Sequence, residues 1–248
     1  MNYIEEKFNK LNISSNNSNN SNNSKDRVNV VSVDVGVQHL GITEVSIPIT
    51  GNNAWREMRV KDVNLVNLME ITHTNVKYKD CKLHHSNEFV DRMEHLFQEY
   101  TMFDSADIIL VERQPVISSF GLTIQNIILM RYRAKTELVS PNAMHAHFSI
   151  NSFSYDARKH YVTMKFKNAL REANNESIIR KLAIMEMWNV RIHDVSDAFC
   201  LADYWRTQKQ KSHQYKTRFG ITMDGLNKSL DDFYEEYRFK GNDEPKRD

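Results

Sequence analysis

The spacing of apolar and polar positions changes along the chain, and each change marks an element. Val28 to Val37 reads as a buried strand and Gly41 to Thr50 as a second, with Ile42, Val45, Ile47 and Ile49 apolar. Ala54 to Leu68 supplies a third, and Gly51-Asn52-Asn53 is the turn before it, so the pattern predicts an antiparallel meander. Thr72 to His85 is mixed and polar and reads as loop. From about Ser86 to Met102 the period becomes helical: Phe89, Met93, Leu96, Phe97 and Tyr100 share one face, with Ser86 or Asn87 as cap. Asp107 to Glu112 is a fourth strand, which Pro115 stops. A helix over Ser119 to Glu137 turns Ile124, Ile127, Ile128 and Ala134 inward. A short fifth strand, Glu137 to Ser140, is broken by Pro141. A small helix at Asn142–Phe148 and three longer ones (Asp156–Ala173, Glu176–Met187, His193–Lys211) close the core. The tail beyond is polar, with a peripheral helix over Leu226 to Tyr237.

Three strands, helix, strand, helix, short strand, then helices is an α/β order. Residues 28–211 are the expected domain, and 248 residues are enough to bury one substantial core. Residues 1–27 form a separate tail: Ser14 to Ser24 is only Asn and Ser, which bury no core and predict disorder. Residues 212–248 read as a polar extension.

Composition narrows the function classes. The net charge is +1, so any affinity for nucleic acid must be local. Cys81 and Cys200 are far apart and lack metal spacing, which argues for a reducing compartment and against a zinc finger. No apolar run approaches the roughly 20 residues of a membrane span, and the N-terminus lacks a signal-peptide core. A soluble, intracellular protein without membrane attachment is expected. Two of the seven glycines, Gly36 and Gly41, fall just after the first strand and predict a tight turn there.

Acids stand where apolar residues belong. Asp34 interrupts Val31-Ser32-Val33-Asp34-Val35-Gly36, and Glu112 ends the run Ile108-Ile109-Leu110-Val111. A carboxylate at such a place is costly unless it is paired or binds metal. Asp194 and Asp197, three residues apart, share a face at the start of a helix, and Asp203 points elsewhere. Each acid has an ordinary alternative. Asp194 could cap its helix, Glu112 could pair with Arg113 or another cation, and Asp34 could serve the turn before Gly36. Taken together, the four predict a site for two Mg2+ ions, with Mn2+ able to substitute, because hard cations take oxygen ligands without His or Cys.

The motifs resemble those of the RuvC-type Holliday junction resolvases, in the branch that joins poxvirus and fungal mitochondrial enzymes. The matching pieces are Val33-Asp34-Val35-Gly36 with Gly41-Ile42, then Ile109-Leu110-Val111-Glu112-Arg113-Gln114-Pro115, Val139-Ser140-Pro141-Asn142, Tyr155-Asp156-Ala157-Arg158-Lys159 and Asp194-Val195-Ser196-Asp197-Ala198. The resemblance implies a ribonuclease H-like fold: a mixed five-stranded sheet, three antiparallel strands followed by parallel ones, flanked by helices. It implies that Asp34, Glu112, Asp194 and Asp197 are catalytic metal ligands. It implies a homodimer that nicks four-way DNA junctions symmetrically, in a viral replication compartment or a mitochondrion. Asn142-Ala143-Met144-His145 departs from the pattern, since the family often has a base there.

Between Arg131 and Arg171 eight bases face only Glu137 and Asp156, a local footprint for DNA. Arg158 and Lys159, which also match the family, and Lys165 and Lys167 are the expected DNA contacts; Arg206, Lys209, Lys211, Lys216 and Arg218 would extend them. Val162, Phe166, Ala169 and Ala173 form the buried face of that helix. Phe120, on a loop after Glu112, is placed to stack in the centre of a junction. His84, His85, His145 and His147 read as surface, and His193 as a cap or an aid to proton transfer. Two other classes compete. A non-catalytic nucleic-acid binder on the same fold has no need of four costly acids. An actin-like ATPase needs further Gly-rich loops that seven unpaired glycines do not supply, so no nucleotide cofactor is expected.

Overall fold

A computed structural model describes residues 26–71, 82–84 and 86–219. Five strands, β1 (Arg27–Asp34), β2 (Leu40–Pro48), β3 (Arg59–Val66), β4 (Ile108–Glu112) and β5 (Thr136–Val139), form one sheet in the order β3-β2-β1-β4-β5. β1 pairs antiparallel with β2, as does β2 with β3, whereas β1–β4 and β4–β5 are parallel. This is the mixed five-stranded sheet, three antiparallel strands followed by parallel ones, that the resemblance implied.

Seven α-helices among the described residues cover both faces: α1 (Phe89–Glu99), α2 (Met102–Ser105), α3 (Ser119–Arg131), α4 (Pro141–His147), α5 (Tyr155–Glu172), α6 (Glu176–Met187) and α7 (His193–Phe219). Strand side chains alternate between faces. Val31, Val33, Ile109 and Val111 pack against Met93, Leu96, Phe97, Phe103, Ile124 and Ile128 of α1–α3. Val30 and Leu110 pack on the opposite side, with Val162, Phe166, Leu182, Val195 and Phe199 of α5–α7. Asp34 is in phase with Val30, and Glu112 with Leu110. Both strand-end acids therefore face the α7 layer.

The start of α7 is pressed onto β2. A Cβ on Gly41 would lie 2.3 Å from the Asp194 carbonyl oxygen, and Thr43 Oγ1 donates to the Val195 carbonyl at 2.9 Å. The two turn glycines supply room rather than left-handed backbone. Neither has positive φ, and at Gly36 a Cβ would meet the His39 carbonyl oxygen at 2.6 Å. Among the described glycines, positive φ belongs to Gly51, at 74°.

Several boundaries differ from expectation. The third strand starts at Arg59, because residues 51–56 form a turn whose Trp55 and Arg56 carbonyls are held by Arg206. The first helix starts at Phe89; Ser86 Oγ accepts from the Glu88 N–H, outside the helix, and no side chain caps α1. α3 ends at Arg131, and a 3-10 turn over Arg133–Lys135 leads into β5. The helix stops where Tyr132 turns its ring onto Phe97 and Phe103 and donates to Asp104 at 2.8 Å. Ala134 is consequently exposed. On α5 the buried residue is Leu170 in place of Ala173, which lies beyond the helix. α7 runs past Lys211 to Phe219. The Asn/Ser tail up to residue 25, most of the 72–85 loop with Cys81, and the 226–237 helix lie outside the described residues. No described helix is long and apolar enough to cross a membrane.

Candidate active site

Asp34 and Glu112 are the last residues of neighbouring parallel strands, whose register pairs Val33 with Val111. Asp194 and Asp197 come from the first turns of α7, and Asp34 stands opposite Gly41, against which that helix is pressed. One oxygen each from Asp34, Asp194 and Asp197 lie within 4.8 Å of one another. Glu112 joins through Asp34: the two carboxyl groups share a hydrogen bond, and Gln114 Nε2 donates to Glu112 Oε2 at 2.9 Å. Gln114, not Arg113, is the near partner of Glu112.

Burial pushes the Asp34 carboxyl well above the ordinary carboxylate range, and the Glu112 and Asp197 charges push it the same way. Glu112 and Asp197 are also raised, chiefly by burial. The shared hydrogen bond raises Asp34 and lowers Glu112. Asp194 is 5% exposed, and its Oδ2 is buried without a hydrogen-bond partner; Arg191 Nε stands 3.4 Å away, outside bonding geometry. A buried carboxylate oxygen that has an ion pair with Arg191 but no hydrogen bond, among three further acids, is a costly arrangement unless a ligand completes it.

The yeast mitochondrial Holliday junction resolvase superposes on this chain with a TM-score of 0.51 at 15% identity, over 76% of this chain and 83% of that one. The chain shares its fold with that resolvase. The fowlpox virus resolvase in complex with Holliday junction DNA gives a TM-score of 0.49 at 14% identity, over 73% of this chain and 97% of that one. Thermus thermophilus RuvC gives 0.39 at 15%, over 77% and 96%. No protein-family model and no curated protein sequence matches the chain. At these identities the likeness, carried by the yeast structure, is one of fold.

An open cleft of about 680 Å3 is lined by two of the acids, Asp34 and Asp194, with Lys159, Arg191, His39 and Phe120 among others. Phe120 lies in the first turn of α3 rather than on a loop, is 60% exposed and packs against Phe89 with ring centroids 5.4 Å apart. Lys159 enters the acid cluster itself: its Nζ hydrogen-bonds Asp197 Oδ2 and lies 3.8 Å from Asp194 Oδ1. Arg158, its half-exposed neighbour, shares the first turns of α5. Lys165 pairs with Asp203 at 2.9 Å and Lys167 pairs with Glu186, so both tie α5 to adjacent helices.

His193 sits beside the cluster, its Nε2 3.4 Å from Asp194 Oδ1, and burial lowers its pKa. A neutral ring then accepts from Arg191 Nε at 3.1 Å. His145 and His147 are half-buried rather than surface residues; the His147 ring packs edge-on against Tyr204 because α4 lies on α7. Arg191 and the loop residues Gln38 and His39 went unrecognised in the sequence. For Arg191 a signal was present, since a base three residues before an acid that opens a helix falls on the same side.

Proposed function

We propose that the protein is a Holliday junction resolvase, a metal-dependent, structure-selective endonuclease that makes symmetric paired nicks in four-way DNA junctions. The observation that carries this is the convergence of Asp34, Asp194 and Asp197, with Glu112 bonded to Asp34, beside an open cleft that Asp34 and Asp194 line. The donor set is all oxygen and includes a buried one without a hydrogen-bond partner, which fits Mg2+, with Mn2+ as substitute. Two divalent ions bound by Asp34, Glu112, Asp194 and Asp197 would activate the attacking water and stabilise the leaving oxygen of the phosphodiester.

The chain's own residues do the rest. Gln114 fixes the Glu112 carboxylate by a hydrogen bond. Arg191 and Lys159 place positive charge on the cleft lining, where it draws in a phosphate backbone. Arg158 extends that surface, and Lys165 and Lys167 continue it along α5 while bridging to neighbouring helices. Phe120 offers an exposed aromatic face to bases unpaired at a junction centre. Symmetric nicks need two such sites, so the active form is a homodimer.

The test is cleavage of a synthetic four-way junction and of its matched linear duplex in Mg2+ or Mn2+, with Asp34→Asn and Asp197→Asn alongside. Paired nicks on the junction alone, lost in both variants while binding persists, are expected. Binding without cleavage in either metal would identify a non-catalytic binder. Equal cutting of the duplex would remove the claim of junction selectivity.

A further inference from the structure

We infer that Lys159 competes with divalent cations for the Asp194 and Asp197 oxygens and thereby sets the metal affinity of the site. This rests on reading the acid cluster as a metal centre. Its Nζ already holds Asp197 Oδ2 and stands 3.8 Å from Asp194 Oδ1, so an ammonium and a metal ion would claim the same two oxygens. The position of the side chain is imposed by the fold. α5 starts at the Ser154 cap and is locked to α7 by the Phe166–Phe199 ring contact, with centroids 4.7 Å apart, and by Lys165–Asp203.

Lysine suits this role because it is a compact point charge on a flexible stem. Nζ also lies 5.5 Å from the Tyr155 ring centroid, and Lys159 lines the cleft. Displaced from the acids, the ammonium keeps a cation–π contact and turns toward the channel along which a phosphate backbone would run. Metal entry and DNA binding are then coupled. An ion frees the lysine for phosphate, and phosphate holds the lysine away from the acids, so each ligand tightens the other by the same factor.

The experiment is calorimetric titration of the full chain with Mn2+ alone, comparing wild type, Lys159→Gln, Lys159→Arg and Asp34→Asn. Lys159→Gln should bind Mn2+ about tenfold more tightly, a coupling of ordinary size. Lys159→Arg, which keeps the charge on a bulkier planar head, should bind Mn2+ less tightly than Lys159→Gln. A merely structural lysine would leave Mn2+ affinity unchanged or weaken it on removal, and either result overturns the competition. In the wild type, the Lys159 ammonium resonance should move along the Mg2+ binding isotherm; a resonance that stays put during binding also overturns it. Wild type that binds no Mn2+, or binds it as well as Asp34→Asn does, would sink the metal-centre reading and the competition with it.

Discussion

α7 carries buried acids of two kinds. Asp203, 7% exposed, accepts from Arg206 Nη2 at 2.6 Å and pairs with Lys165 at 2.9 Å. Desolvation pushes its carboxyl up, but Arg206 and Lys165 outweigh that and hold it below the ordinary range. Those partners are fixed in turn, since Arg206 also donates to the carbonyls of Trp55 and Arg56. At the start of the same helix burial wins. Asp197 is raised with Lys159 bonded to it, Asp34 and Glu112 are raised beside it, and Asp194 Oδ2 has no hydrogen-bond partner. An acid that holds helices together is given its cations by the fold. The cluster at the mouth keeps more negative charge than the fold supplies cations for, which is what a cation site requires.

The contrast can be broken from either side. Asp203→Ala removes the shared partner of the partly buried Arg206 and Lys165 and should cost about 1.5–3 kcal/mol of stability in urea denaturation. Gly41→Ala drives a Cβ into the Asp194 carbonyl and should cost about 1–3 kcal/mol. Because it also shifts Asp194, junction cleavage should fall on the order of 100-fold. Stability loss with unchanged cleavage would detach Gly41 from the site. Asp34→Asn should do the opposite to stability: without metal its Tm should rise by about 2–4 °C, the equivalent of about 1 kcal/mol in a chain of this size.

The pH dependence separates the same two sets with opposite signs. Asp34, Glu112 and Asp197 are raised in the folded state, so the native protein holds protons that the unfolded chain has released. Metal-free stability therefore falls as pH rises from about 4 through their folded values. Asp203 is depressed, so its contribution is complete above about pH 4 and is lost as pH falls through its folded value. In urea curves taken across pH, Asp34→Asn should flatten the decline above pH ~4, and Asp203→Ala should flatten the acid limb.

Much of the fold was legible because strands announce themselves as apolar runs, and Asp34 and Glu112 stood out because carboxylates are costly there. Element ends were less legible. Where α3 stops depends on Tyr132 reaching Phe97, Phe103 and Asp104, contacts that only the packed structure supplies. The place of Lys159 was hidden for the same reason. In sequence it sits in a basic run and reads as a DNA contact; the packing of α5 on α7 turns it onto Asp197. Gly41 looked like a turn glycine until the helix from Asp194 was seen against it.

Anomalous diffraction from crystals soaked in Mn2+ tests the central claim most directly. The account predicts manganese peaks between the Asp34, Asp194 and Asp197 carboxylates and none at Asp203. Saturating Mn2+ that leaves those carboxylates without a peak would contradict it.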